Sequence, residues 1–225
     1  MFKQRVLGRL GAFIGISAIV LLSAVGCLPG QANQPPDRLI YKLPTALTIH
    51  VGAALPGTEI RYERMGEEGA EVTIKGQQAL KRKGDSLDWS GSPVPGVSVD
   101  LRQRVAWYTE EDLHLVGTAK IVVDGVKPQA TTHSSTSPIK YTGPVVYSVT
   151  KGKSIPGSTV IFEDQGPDGV KLGGIQGYPY RKAGDSIFWE GTLREGVHIR
   201  LDVRVLQFDA RALRVGGLVT LWIGS

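Results

Sequence analysis

Cysteine is almost missing from this chain of 225 residues, with Cys27 its sole thiol. That excludes an intramolecular disulfide framework and any zinc site built from several thiolates. Histidine is sparse too, with four in the chain. His50, His114, His133 and His198 stand at no His-x-His or His-x-x-x-His spacing, so nothing in the sequence proposes a metal centre. Positive charge is also scarcer than the total suggests. The formal net charge of +5 includes Lys3, Arg5 and Arg9 at the amino terminus, and without them 23 basic residues face 21 acidic ones. A net charge of +2 gives no general electrostatic drive toward DNA or RNA, and no nucleic-acid partner is expected. Beyond the first 27 residues no stretch sustains a 3.6-residue apolar period, which argues against helices. What remains is a chain with 29 Gly, 13 Pro and 41% hydrophobic residues: turn-rich, yet apolar enough to build a core.

The first 27 residues have the three parts of an export signal. A basic start (Met1-Phe-Lys-Gln-Arg5, with Arg9) precedes an uncharged apolar run from about Leu10 to Leu22, and small residues (Ser23, Ala24, Gly26) lead to Cys27. The run is shorter than the ~20 residues of a membrane span. This arrangement resembles the lipobox of bacterial prolipoproteins, with a small residue before the cysteine and Ala24 where the pattern prefers Leu. The resemblance implies cleavage before Cys27, acylation of its thiol, and attachment to the outside of a membrane. Ala24 and Gly26 also satisfy the rule for an ordinary signal peptidase at the same bond. The position of the single cysteine favours lipidation. Residues 1–26 are therefore expected to be a signal peptide and 27–42 a lipid-anchored tether, since Pro29, Gly30, Pro35 and Pro36 oppose regular structure.

The rest of the chain is written twice. Residues 41–125 align with 141–225 at a constant offset of 100 and without a gap. Leu55-Pro56-Gly57-Thr58 matches Ile155-Pro156-Gly157-Ser158, and Gly84-Asp85-Ser86-Leu87-Asp88-Trp89 matches Gly184-Asp185-Ser186-Ile187-Phe188-Trp189. In each copy a run alternates apolar and polar side chains with period two: Val97, Val99, Leu101, Val105 and Trp107, and again Val197, Ile199, Leu201, Val203 and Val205. After a polar turn the alternation resumes from Leu113 to Val123 and from Leu213 to Ile223, which predicts a long antiparallel hairpin. Shorter strands are expected near 45–51, 58–63, 70–75 and 86–90, with counterparts 100 residues later. The expected fold class is all-β, a tandem repeat of two small antiparallel β-sandwich domains of immunoglobulin size. Their predicted limits are 43–124 and 142–225, joined by a Ser-, Thr- and Pro-rich linker, 125–141, that is expected to be flexible or semi-extended, although its shortness also allows the two to pack together.

Several strings suggest chemistry and fail on context. Gly84-Asp85-Ser86-Leu87 spells the signature of a serine esterase family, but no helix follows it and no Asp-x-x-His occurs in the chain. A Gly-Asp-Ser turn entering a strand explains both copies, with Arg104 and Arg204 placed to pair with Asp85 and Asp185. Asp164, Asp168 and Gly169 have the look of a calcium turn without the spacing of one. Lys81-Arg82-Lys83 and Arg181-Lys182 read as solubilising loop charge. Trp89 and Trp189 share a phase with Leu87 and Ile187, which assigns them to the core. Trp222 lies out of phase with Leu221 and Ile223, and Tyr178 and Tyr180 sit in a Gly-Tyr-Pro-Tyr stretch. These three are the candidate ligand-binding residues. The sequence thus points to a non-enzymatic, membrane-anchored extracytoplasmic lipoprotein without cofactors. Its modules would act as spacers or bind a cell-wall glycan or envelope protein.

Overall fold

A computed structural model describes residues 37–131 and 135–224. The signal peptide, Cys27 and the tether up to residue 36 lie outside the described residues, as does His133. Among the described residues no helix forms, and the chain is all-β in several antiparallel sheets.

The first repeat contributes β1 (Arg38–His50), β2 (Ile60–Met65), β3 (Ala70–Ile74), β4 (Gln77–Lys81), β5 (Trp89–Val94), β6 (Val97–Tyr108) and β7 (Asp112–Asp124). After the short β8 (Gln129–Ala130), the second repeat contributes β9 (Ile139–Thr150), β10 (Ile161–Gly166), β11 (Gly169–Gly173), β12 (Tyr180–Arg181), β13 (Ser186–Arg194), β14 (Val197–Phe208) and β15 (Ala212–Ile223). The strands order as β1-β7-β6-β5 with a small β2-β3-β4 sheet, and as β8-β13-β14-β15-β9 with a small β10-β11-β12 sheet. Registers also repeat at the offset of 100. Tyr41 pairs with Ile121 and Leu101 with Ala119; Tyr141 pairs with Leu221 and Leu201 with Val219.

Alternation is the cause of this arrangement. Val97, Val99, Leu101, Gln103 and Val105 and their counterparts Val197, Ile199, Leu201, Val203 and Val205 are all buried, while the residues that alternate with them face out or lie half-covered. Each fully buried aliphatic side chain contributes roughly 1.5–3 kcal/mol. The same force moves the start of the fold. β1 begins at Arg38, inside the stretch assigned to the tether, because Leu39, Tyr41 and Leu43 alternate into the core once the prolines at 35 and 36 are passed.

The linker is not the free connection that its composition suggested. Lys127 N–H donates to Leu193 O (2.7 Å), Gln129 and Ala130 pair with Thr192 and Gly191, and Thr131 N–H donates to Glu190 O (3.2 Å). Arg194 donates to Asp124 O (2.5 Å), which ties the end of the first repeat to the β13–β14 turn of the second. Buried residues of both repeats form one continuous cluster.

The Pro-Gly turns show how the halves meet. Gly57 and Gly157 have φ of 77° and 80°, a backbone region that favours glycine. A Cβ on Gly157 would lie 3.2 Å from Leu39 Cδ1 and 3.1 Å from the Tyr41 hydroxyl; one on Gly57 would lie 2.6 Å from Ile139 Cδ1. Leu39 and Ile139 are equivalent positions, so each repeat seats its turn on the first strand of the other.

Candidate functional site

The Gly-Asp-Ser turn resolves into a structural device. Asp85 and Asp185 accept from the backbone N–H of Arg82 (2.8 Å) and Lys182 (2.7 Å), closing the turn. Arg104 and Arg204 reach the carbonyls of Gly84 (2.9 Å) and Gly184 (3.0 Å) rather than the neighbouring carboxylates, which corrects the expected pairing. Trp89 and Trp189 are buried as expected, their indole N–H groups donating to Glu59 (2.5 Å) and Thr159 (2.9 Å). The hydrogen bond from Trp89 holds the Glu59 carboxyl below its ordinary range.

Of the three predicted ligand-binding aromatics, the structure brings two together. Tyr178 is 63% exposed, and its ring centroid lies 5.5 Å from that of half-buried Tyr180, the planes tilted by 47°. They border an open groove of about 400 Å³ with Asp168, Lys182 and Asp185. Pro179 is the local reason. In the first repeat β4 runs for five residues and pairs along the whole of β3. In the second, Pro179 has no N–H to give to the ladder and keeps only its carbonyl there, accepting from Leu172 N–H (2.9 Å), so that β12 shrinks to two residues. Arg181 stiffens the 177–179 segment by donating to the carbonyls of Tyr180 (2.9 Å) and Ser186 (3.1 Å) and to that of Tyr178.

The equivalent place in the first repeat is filled differently. Gln78 and Leu80 replace the tyrosines, and Arg82 forms an ion pair with Glu68 (2.8 Å) where the second repeat has Lys182 and Asp168. Among the described residues no ion pair joins Lys182 to Asp168. The groove thus presents an aromatic edge, a cation and carboxylates to solvent. The acidic loop beside it divides its charges: Asp164 bonds Lys151 (2.6 Å) and the backbone of Gln165 (2.8 Å), which together hold its carboxyl low, while Asp168 lines the groove. Among the described residues no group of three or more His, Cys, Asp or Glu side chains could hold a metal.

Trp222 is a correction. It faces away from the core as its phase implied, yet it is only 7% exposed. Lys140 and Arg200 lie over its ring at 5.5 and 5.2 Å, so long cationic side chains cover the indole that was expected to be open. Trp107 is the converse. Its phase placed it in the core, but the ladder slips between Val105 and Trp107, and the bulge turns the indole outward to 53% exposure. There it stacks on His114 at 4.2 Å, with Thr48 3.2 Å from the His114 ring and His50 2.5 Å from Asp112. The signal for this exposed strip was its counterpart, since position 207 of the second repeat is Gln. No family, no curated protein and no solved structure matches this chain.

Proposed function

We propose that this chain is a non-enzymatic, lipid-anchored extracytoplasmic protein whose two β-sandwich repeats form a binding scaffold, with recognition carried by the second repeat. The observation that supports binding rather than a spacer role is the divergence of one hairpin. Where the first repeat pairs Arg82 with Glu68, the second leaves Lys182 and Asp168 lining a groove beside a solvent-exposed tyrosine; the first repeat's own groove, over Glu63, Arg64, Gln78 and Leu80, has no aromatic side chain.

The ligand class that suits this surface is a cell-wall glycan. A tyrosine ring offers a flat apolar face to the C–H side of a sugar ring, and Asp168 and Lys182 offer an acceptor and a donor for hydroxyls. The anchor is read from the leader, with Cys27 the acylated residue and the membrane the partner it reaches.

Two measurements test the reading. Retention of the protein on purified peptidoglycan and on glycan arrays is expected to fall about tenfold in Tyr178→Ala and in Tyr180→Ala, as for loss of one stacking contact. Equal retention of wild type and variants would reject the groove. Palmitate labelling of the wild type in a bacterial host is expected and should vanish in Cys27→Ser; labelling that persists would reject the anchor.

A further inference from the structure

The outer face of the β8-β13-β14-β15-β9 sheet carries apolar side chains that its twin lacks. Phe188 is 60% exposed, Leu218 49% and Leu206 48%. They adjoin one another. Phe188 pairs with Asp202, Asp202 with Leu218, and Leu218 with Pro144, while Leu206 and Val146 converge over Gly216, where a Cβ would lie 2.8 Å from the one and 3.4 Å from the other. At the same four positions the first repeat has Asp88, Thr118, Ala106 and Ala46. At these four positions the change is from small or polar to large and apolar, whereas the twin's own exposed apolar residues, Trp107 and Val116, are Gln207 and Gly216 here. The two outer faces also differ in charge: Lys140, Arg200, Arg204 and Arg214 stand against Glu190 and Asp202 in one, and Arg38, Lys42, Arg102, Arg104 and Lys120 against Asp88, Asp100, Asp112 and Asp124 in the other.

We propose that two copies of this chain pair face to face through this sheet. Four strands of nine to twelve residues at the usual spacing give a footprint of roughly 700 Å², close to the ~800 Å² per partner of a stable interface. The position of Asp202 favours a second copy over the acyl chains of a lipid surface. Asp202 is exposed in the middle of the patch, between Phe188 and Leu218, and acyl chains would strip its water and offer no partner. A twofold axis lying in the interface and crossing β14 at Val203 sets each Asp202 opposite Arg204 of the second copy, pairing both charges twice. Arg204 is exposed, and its bond to Gly184 O leaves further N–H groups for that contact. The pairing does not depend on what the Tyr178 groove binds.

The test is photo-crosslinking of the full-length chain in intact cells, with a benzophenone amino acid at position 218. The expected product is an adduct of twice the chain mass, reduced about tenfold or more by Phe188→Asp and by Asp202→Arg. Both variants should keep the wild-type unfolding midpoint. The first installs the residue that the other repeat carries in the same register, and the second changes a side chain on the open face. An absent dimer adduct, a dimer adduct indifferent to both variants, or crosslinking to lipid or to a different protein instead would each overturn the proposal.

Discussion

Gln103 breaks the apolar phase of β6, and its surroundings explain how a polar side chain only 1% exposed is tolerated there. Its amide donates to Thr45 Oγ1 (2.8 Å) and to Thr118 O (2.9 Å). In the second repeat both members of the pair are valine, Val203 and Val145. Thr45→Val alone is expected to destabilise by about 1–2 kcal/mol, because the Gln103 amide loses a partner in a dry site. Thr45→Val with Gln103→Val should return to within about 0.5 kcal/mol of wild type or exceed it. Urea unfolding of the two variants checks this. Tyr41 and Tyr147 meet in the core, one from each repeat, and burial pushes both phenols well above their ordinary value; Tyr141 is pushed up to about 12. A raised folded-state value means the neutral phenol is what folding favours. Stability from these groups is complete below the unfolded value of about 10 and is lost as pH climbs through that point toward the folded values. The urea midpoint should therefore fall between about pH 9.5 and 11.5, and fall less in Tyr41→Phe.

At the scale of elements, period-two alternation made the long hairpins legible: 97–123 and 197–223 are paired strands joined by short turns, with the expected inward residues apart from Trp107. Features that interrupt a ladder were harder to read. The bulge beside Trp107 adds one residue to the count and so inverts everything after it, which alternation alone cannot reveal. Composition misled in the linker for a related reason. Polar residues with Pro describe a solvated segment, but two of them only need free N–H and C=O groups to join the open edge of β13. The candidate site was half legible. Tyr178 and Tyr180 stood out as aromatics beside Gly and Pro, whereas the roles of Asp168 and Lys182 depend on β3–β4 and β11–β12 ending differently in space. Coverage of Trp222 by Lys140 and Arg200 depends on neighbours from other strands, which no local pattern encodes. The Pro-Gly turns yield a sharper expectation. Gly157→Val would place a branched side chain at φ of 80° and within 3.2 Å of Leu39, Tyr41 and Ile199. A loss of about 2–4 kcal/mol in thermal or urea unfolding is expected.

The whole molecule is one module written twice and closed by its own duplicate. Turns of each repeat rest on the first strand of the other, the linker adds a strand to the second sheet, and the buried side chains form one cluster. Duplication of this kind leaves the scaffold redundant, so the two copies can diverge where they meet solvent: in the Tyr178 hairpin, in the Trp107 strip, and on the Phe188 face. All three readings rest on a chain that folds as a unit rather than as two beads. Native-state hydrogen exchange tests that most directly. Amides of β6 and β7 in the first repeat and of β14 and β15 in the second are expected to open with the same free energy and to shift together in Gly157→Val. Two distinct opening energies, with the substitution felt in the second repeat alone, would contradict the shared core.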